Sequence, residues 1–284
     1  MKIFTSKDIE NYYDQTEVHY RLFWNLNKSM GLHYVIWDKS TKTVYDSIIN
    51  TNNLLMKIGE IKATDMVLDC GCGIGGSAIY LSKNLGCKVT GVTLSAKQVA
   101  TAKKLAIENS VDKLVSFCKL NYLETGFEDN SFDIVWAIES FGSSPNKQLF
   151  FKEMYRILKP GGKILFADTF KPYSYNIANE TDMQIMLNGW AISDILSIEE
   201  LIQLAKDNNF EDPQINNVTK EIKKSVDKIY WAGLLGMVGT KLYNLFKNAS
   251  YFSRIHYKTG IAQKKAYEKG KWGYYLVRVD KKVQ

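Results

Sequence analysis

Val67-Leu68-Asp69-Cys70-Gly71-Cys72-Gly73-Ile74-Gly75-Gly76 is the stretch whose reading decides the fold. Met66-Val67-Leu68 opens an apolar strand, alternating glycines follow, and a helix is expected from about Ser77. A backbone that turns sharply and touches a ligand has no room for Cβ atoms, which is why glycine recurs there. Such a turn feeds a helix N-terminus, whose unpaired N–H groups and positive dipole end receive polar or anionic groups. By itself the pattern specifies a nucleotide-like cofactor on an open α/β sheet.

Working outward, residues from about 64 to 170 alternate short apolar strands with amphipathic helices. Strand 66–69 leads to helix 77–85, strand 88–92 to a helix at about 95–109, and strands 115–118 and 132–137 follow. A helix ending in Arg156-Ile157-Leu158 is stopped by Lys159-Pro160-Gly161-Gly162 before strand 163–167. Proline cannot continue a helix and glycine accepts the left-handed geometry that closes one. This rhythm predicts a parallel sheet with helices on both faces. Before it, residues 1–60 read as helices rich in aromatics, including Tyr12, Tyr13, Tyr20, Phe23, Trp24, Tyr34, Trp37 and Tyr45. After it, residues 173–209 look helical, an apolar insertion covers Ile229–Gly239, and Trp272–Val279 reads as a closing strand. Aromatic segments before, within and after the sheet predict an enclosed apolar pocket above it.

The chain of 284 residues is long enough for a full core, and 45% hydrophobic with 24% charged residues is the balance of a soluble globular protein. Met1-Lys2-Ile3-Phe4-Thr5-Ser6-Lys7-Asp8 lacks the apolar region of a secretion signal, and no apolar run approaches the ~20 residues of a spanning helix, so a cytoplasmic location is expected. Cys70, Cys72, Cys87 and Cys118 have no zinc-type spacing and read as reduced thiols, with no metal site. The net charge of +7 is a weak pointer, because Lys and Arg read as spread along the chain among Asp and Glu, with no basic stripe of the kind nucleic acid requires.

Gly71, Gly73 and Gly76 satisfy the spacing of a dinucleotide-binding loop, but two features oppose that reading. Asp69 places a carboxylate where a pyrophosphate would lie, and the second strand ends in Thr93-Leu94-Ser95 where a ribose-binding acid is expected. A cofactor carrying an ammonium and a sulfonium but no phosphate suits this site better.

Asp69-x-Gly71-x-Gly73-x-Gly75 resembles the first motif of class I S-adenosylmethionine-dependent methyltransferases, and Asn130–Val135 followed by Leu158-Lys159-Pro160-Gly161-Gly162 resembles their later motifs. The resemblance covers about 60–170. It implies an α/β fold: a Rossmann-like, doubly wound, seven-stranded sheet with the last strand antiparallel, plus a helical aromatic cap. The organisation implied is a helical cap over 1–60 and a core over 61–284, with cap insertions at about 173–209 and 222–266. S-adenosyl-L-methionine is the implied cofactor, its methionine moiety held by Asp69 and the Gly71, Gly73 and Gly75 turn. Val92-Thr93-Leu94-Ser95-x-x-Gln98 resembles the form found in sterol and cyclopropane-fatty-acid methyltransferases, implying that Thr93, Leu94 and Gln98 lie along ribose and methionine. Asn121 stands where an Asp commonly accepts the adenine amino group, and Tyr122 would flank the ring.

Tyr12-Tyr13-Asp14 and Gly31-Leu32-His33-Tyr34-x-x-Trp37-Asp38 resemble the opening region of sterol, tocopherol, phosphoethanolamine and cyclopropane methyltransferases. That implies cofactor contacts from Tyr13 and His33, with Tyr34 and Trp37 toward the substrate; aromatic faces suit the sulfonium and any developing cation. Glu139, after the fourth strand, could steer an amine, accept a proton or stabilise a carbocation, so Glu139, His33 and Tyr13 are the catalytic candidates. Ser143 takes the place where relatives often carry a His base. Met183, Met186, Trp190, Tyr230, Trp231, Leu234, Leu235, Met237, Tyr243, Phe246, Tyr251 and Phe252 offer adaptable apolar surface, Trp190 and Trp231 being candidate substrate contacts.

The expected activity is methylation of a small lipophilic acceptor (sterol-, terpenoid- or prenyl-like), at carbon in the first instance. The alternatives are N- or O-methylation of a small amine or natural-product hydroxyl, and a cofactor-binding module without turnover. An amphipathic helix at about 229–247, near Lys228, Lys241 and Lys247, leaves room for transient membrane-surface contact; homo-oligomerisation is also left open.

Overall fold

The computed structural model describes residues 2–24, 30, 31, 33–246 and 251–283, with side chains described at 2–15, 30, 31, 33–237, 255 and 257–283. The side chains of Tyr20, Phe23, Trp24, Lys241, Tyr243, Phe246, Tyr251 and Phe252, and all of Leu32 and Lys247, lie outside the described part.

The chain forms α1 (Ser6–Trp24), α2 (Val44–Gly59), β1 (Met66–Cys70), α3 (Gly76–Leu85), β2 (Lys88–Thr93), α4 (Ala96–Glu108) and β3 (Val115–Lys119). It continues with β4 (Phe132–Ile138), α5 (Lys147–Ile157), β5 (Leu158–Phe170), a 3₁₀ turn (Ile177–Asn179), α6 (Thr181–Gly189) and α7 (Ile198–Asp207). β6 (Gln214–Asn217), α8 (Lys223–Phe246), α9 (Tyr251–Glu268) and β7 (Gly273–Asp280) complete it. The seven strands lie in the order β3-β2-β1-β4-β5-β7-β6, all parallel except β7, which is antiparallel to both β5 and β6. The sheet order reverses between β1 and β4, and open α/β sheets bind ligands outside the strand C-termini at such a point.

Both sheet faces are buried, as near-continuous apolar strands require. One face packs Val67, Ile134, Trp136 and Leu165 with Leu55 of α2 and Ile79 of α3; the other packs Leu68, Val135 and Phe166 with Phe150, Phe151 and Met154 of α5. α2 starts at a capping box, Thr43 with Asp46, and its C-terminal carbonyls accept from Lys163 and Arg278 of β5 and β7.

Two local expectations are corrected. Pro160-Gly161-Gly162 does not separate α5 from its strand: β5 begins at Leu158, and the three residues bulge out between the pairs Phe132–Leu158 and Ile134–Lys163. The bulge lets Gly161 donate to the Lys281 carbonyl beyond β7. β6 carries no apolar run, Gln-Ile-Asn-Asn, so periodicity misses it; its hydrogen bonds to β7 make it a strand. Residues 173–209, expected to be helical, hold the 3₁₀ turn and two helices, α6 and α7, the helices being joined by an extended stretch.

Candidate functional site

β1 ends at Cys70 and the chain turns through Gly71, Gly73 and Gly75, all at positive φ, into α3. Gly75, at φ 85°, is the N-cap of α3, and a Cβ there would sit 2.6 Å from the Phe117 ring. A Cβ on Gly71 would meet the Ser140 Cβ at 2.5 Å, whereas one on Gly73 would meet no protein atom within 4 Å and would protrude into the cavity above the turn. Gly73 therefore leaves room for a ligand, while Gly71 and Gly75 are small to suit their neighbours.

Tyr13, His33, Asp69, Gly71, Gly73, Thr93, Leu94, Gln98, Asn121, Tyr122 and Glu139 all line this one cavity. Eleven residues scattered over more than 120 positions thus converge, because the ends of β1, β2, β3 and β4 share one edge of the sheet. Asp69 is buried, and burial raises its carboxyl to about 7 against a hydrogen bond from the Ala78 backbone. Its Oδ2 has no partner. A buried carboxylate oxygen with nothing to accept from is costly unless a cationic donor arrives.

The Thr93 hydroxyl donates to Gln98 Oε1 at 2.6 Å, and Ser95 caps α4 while donating to Asp14 of α1 at 2.6 Å. Asn121 Oδ1 accepts from the Leu123 backbone at 3.0 Å, and the Tyr122 hydroxyl donates to the Ser140 carbonyl at 2.9 Å. His33 Nδ1 lies 2.7 Å from the Tyr34 carbonyl, which can only accept. The proton therefore sits on Nδ1, and Nε2 keeps its lone pair; burial holds the ring below its ordinary pKa and so neutral.

Glu139 follows β4 with a positive φ of 46°, and its carboxyl accepts from the Tyr34 backbone at 2.5 Å, while the nearby Tyr274 hydroxyl donates to the Ala167 carbonyl at 3.2 Å. Burial, then the nearby Asp168 charge, push the Glu139 carboxyl well above the usual range. Burial and the Glu139 charge raise the Tyr13 phenol to about 12. Reasoning from sequence missed the frame behind Glu139. Asp168, raised by burial to about 6, accepts from the Gly142 backbone at 2.8 Å, and Lys147 Nζ donates to the carbonyls of Gly142, Ser144 and Asp194. Burial lowers the Lys147 ammonium to about 8. Asp168 could have been found as the one acid inside the apolar run of β5; Lys147 carries no comparable signal.

Of the expected substrate contacts Glu139 lines the cavity, and the four aromatic ones fall elsewhere. Tyr34 is buried among Trp190, Trp272 and Tyr274, with its hydroxyl on Gln263, so its ring packs the core. Trp190 is partly buried edge-on to Tyr34 and does not line the cavity. Trp37 donates from its indole to Ser225 at 3.0 Å, under Lys224 and Lys228. Trp231 is exposed on α8, since its face of the helix points away from α9. Gly75 is a packing residue behind the turn. Conversely Ser6, Ile9 and Glu10 of α1 reach the cavity, unforeseen because one turn of a helix gives no motif. Among the described residues no cluster of His, Cys, Asp or Glu is arranged for a metal ion.

Residues 68–166 match the family model described as a methyltransferase domain. The chain is 35% identical over 146 residues to a chloroplastic tocopherol O-methyltransferase of Arabidopsis thaliana, covering 48% of this chain and 42% of that protein. It is 29% identical over 177 residues to a sterol 24-C-methyltransferase of Kluyveromyces lactis, covering 61% and 46%. These matches thus span about half the length of the curated relatives, or less. Among solved structures, the mycolic acid cyclopropane synthase CmaA1, complexed with S-adenosylhomocysteine (SAH) and CTAB, superposes with a TM-score of 0.81 at 16% identity, over 97% of this chain and 98% of that one, a likeness of fold.

Proposed function

We propose that this chain, whose residues 68–166 form a methyltransferase domain, transfers a methyl group from S-adenosyl-L-methionine to a small lipophilic acceptor, at carbon. The observation that carries the reading is the buried, unpartnered Asp69 Oδ2 at the head of the glycine turn, placed for an ammonium group. Thr93 and Gln98 would hold the ribose side, and Leu120, Asn121 and Tyr122 the adenine side. The cofactor supplies an electrophilic methyl on a sulfonium. Tyr13 and His33 offer it an oxygen, a ring face and a neutral imidazole.

In-line transfer needs donor and acceptor aligned at ~3–3.5 Å more than it needs an elaborate catalyst. Positive charge gained by an alkene acceptor calls for a proton acceptor, and Glu139 is the group on this wall that ionises when a cation forms beside it. The polar acceptor end, Glu139 with His33 and Ser143, also favours a second reading, transfer to an amine or hydroxyl. The relatives named for sterol and tocopherol methylation support a lipophilic acceptor. Collection of that acceptor at a membrane surface by a cytoplasmic protein belongs to the same reading; no helix among the described residues is long and apolar enough to cross a membrane.

Calorimetry with S-adenosyl-L-methionine on the native chain and Asp69→Ala tests the donor, and radiolabelled methyl transfer into prenyl-quinol, sterol, terpenoid and amine pools tests the acceptor. Absence of binding by the native chain would refute the assignment.

A further inference from the structure

Residues 220–271, which hold α8 and α9, contain twelve Lys and Arg against three Asp and Glu, a net charge of +9. The whole chain is +7, so everything else sums to −2. The net positive charge is therefore gathered on this segment, while the other 25 Lys and Arg are spread among 27 Asp and Glu as inspection suggested. Within that segment twelve consecutive residues, 229–240, carry no charge.

An apolar run in a soluble helix ordinarily faces the core. Part of this one does not: Trp231 is 59% and Leu235 77% exposed. The two are four residues apart and share a helix face. Gly233, on the opposite face, is buried where a Cβ would meet the Tyr257 carbonyl and Gly260 of α9. That close crossing fixes the rotation of α8 and turns Trp231 and Leu235 outward. Lys224 and Lys228 continue the same stripe toward the helix N-terminus. Both are exposed and, among the described residues, neither has an ion-pair partner; their ammonium groups lie 5.0 and 5.9 Å from the Trp37 ring. Nearby acids are already engaged or few: the partly buried Asp227 pairs with Lys223 and Lys264, and Glu221 is exposed just before α8.

We propose that the stripe Lys224, Lys228, Trp231, Leu235 seats α8 on the surface of an anionic lipid bilayer, with the two apolar side chains entering the headgroup boundary and the lysines facing lipid phosphates. Basic residues beside apolar ones on one helix face are what interfacial binding needs. A nucleic acid would satisfy the lysines but leave the uncharged run without a partner. A second copy would bring two +9 segments together. The inference deepens the surface-contact part of the functional reading, and vesicle binding measured without turnover keeps the two separable.

The test is flotation of the full chain with phosphatidylcholine vesicles, with and without phosphatidylglycerol, at low and high salt. Native protein binds the phosphatidylglycerol vesicles and is released by salt. Lys224→Gln/Lys228→Gln binds them ~30-fold more weakly at low salt, from about a five-fold loss per lysine, and Trp231→Ser/Leu235→Ser at least ~10-fold more weakly. Circular dichroism, thermal unfolding and S-adenosyl-L-methionine affinity stay native in both variants. Failure of the native chain to bind, or equal binding by either folded variant, overturns the proposal. So does a solution dimer that Trp231→Ser/Leu235→Ser dissociates, or tighter retention on duplex DNA that this variant leaves unchanged.

Discussion

Asp69→Asn separates stability from binding in this site. In the ligand-free protein the Asp69 carboxyl is raised to about 7, against an ordinary value of 3.8, because burial disfavours its charge. An acid whose pKa is raised on folding contributes full stability below its unfolded pKa and loses it as pH rises through its folded one. At about 1.4 kcal/mol per pKa unit, a shift of roughly three units costs about 4 kcal/mol once both states are ionised. About 2–3 kcal/mol of that loss falls between pH 5 and pH 8. The amide cannot ionise and keeps an oxygen for the Ala78 backbone, so thermal unfolding of Asp69→Asn gains on the native chain by roughly 5–10 °C over that range. Cofactor binding responds oppositely. An ammonium facing Oδ2 restores the charge, so native affinity rises with pH through the Asp69 value, and the asparagine variant binds weakly with no such dependence. Parallel unfolding profiles for the two proteins, or equal affinity for S-adenosyl-L-methionine, would refute the argument.

Glu139→Gln keeps an oxygen for the Tyr34 backbone; cofactor affinity stays within ~3-fold while single-turnover transfer slows by ~100-fold or more. With the Glu139 carboxyl held above its usual range, native turnover increases with pH until the residue ionises, and stopped-time assays across pH find that limb missing in the glutamine variant. Gly75→Ala places a methyl against Phe117 at a left-handed position, and urea unfolding shows a loss of about 2–4 kcal/mol. Arg156→Met strips the guanidinium from Glu153, which is 9% exposed and otherwise bonded to Thr125, costing about 2–3 kcal/mol by the same assay.

The sheet was legible because its central parallel strands each carry a short apolar run and each βα turn carries its own punctuation. The donor half of the site was legible for the same reason. Asp69, Gly71, Gly73, Thr93, Leu94 and Gln98 sit at the C-terminal ends of β1 and β2 or in the turns and first helical turn that follow, where local sequence dictates position. Tyr13 and Tyr122 were legible too, but the other aromatic candidates were not, since a ring serves a core and a ligand equally well. Tyr34 and Trp190 went to packing, while Trp231 went to the surface. The loop behind Glu139 was opaque because its order comes from Asp168 and Lys147, whose bonds to Gly142 depend on tertiary placement rather than spacing.

The two acids that matter most sit at the C-terminal ends of adjoining strands, Asp69 within β1 and Glu139 just past β4, at the point where sheet order reverses. Asp69 pairs in register with Trp136, three residues before Glu139. The Ser140 hydroxyl donates to the Cys70 carbonyl at 2.5 Å, locking the loop after β4 to the loop after β1. That lock is why Gly71 has no room for a Cβ. The separation between an ammonium-binding end at Asp69 and an acceptor end at Glu139 is therefore set by strand register and one hydroxyl, not by flexible loops. Both acids are raised by burial, so this wall favours neutral carboxyls until a positive charge lies beside it. Each becomes ionised when positive charge enters beside it, which lets one cavity hold a cationic donor and answer a second cation forming at the acceptor.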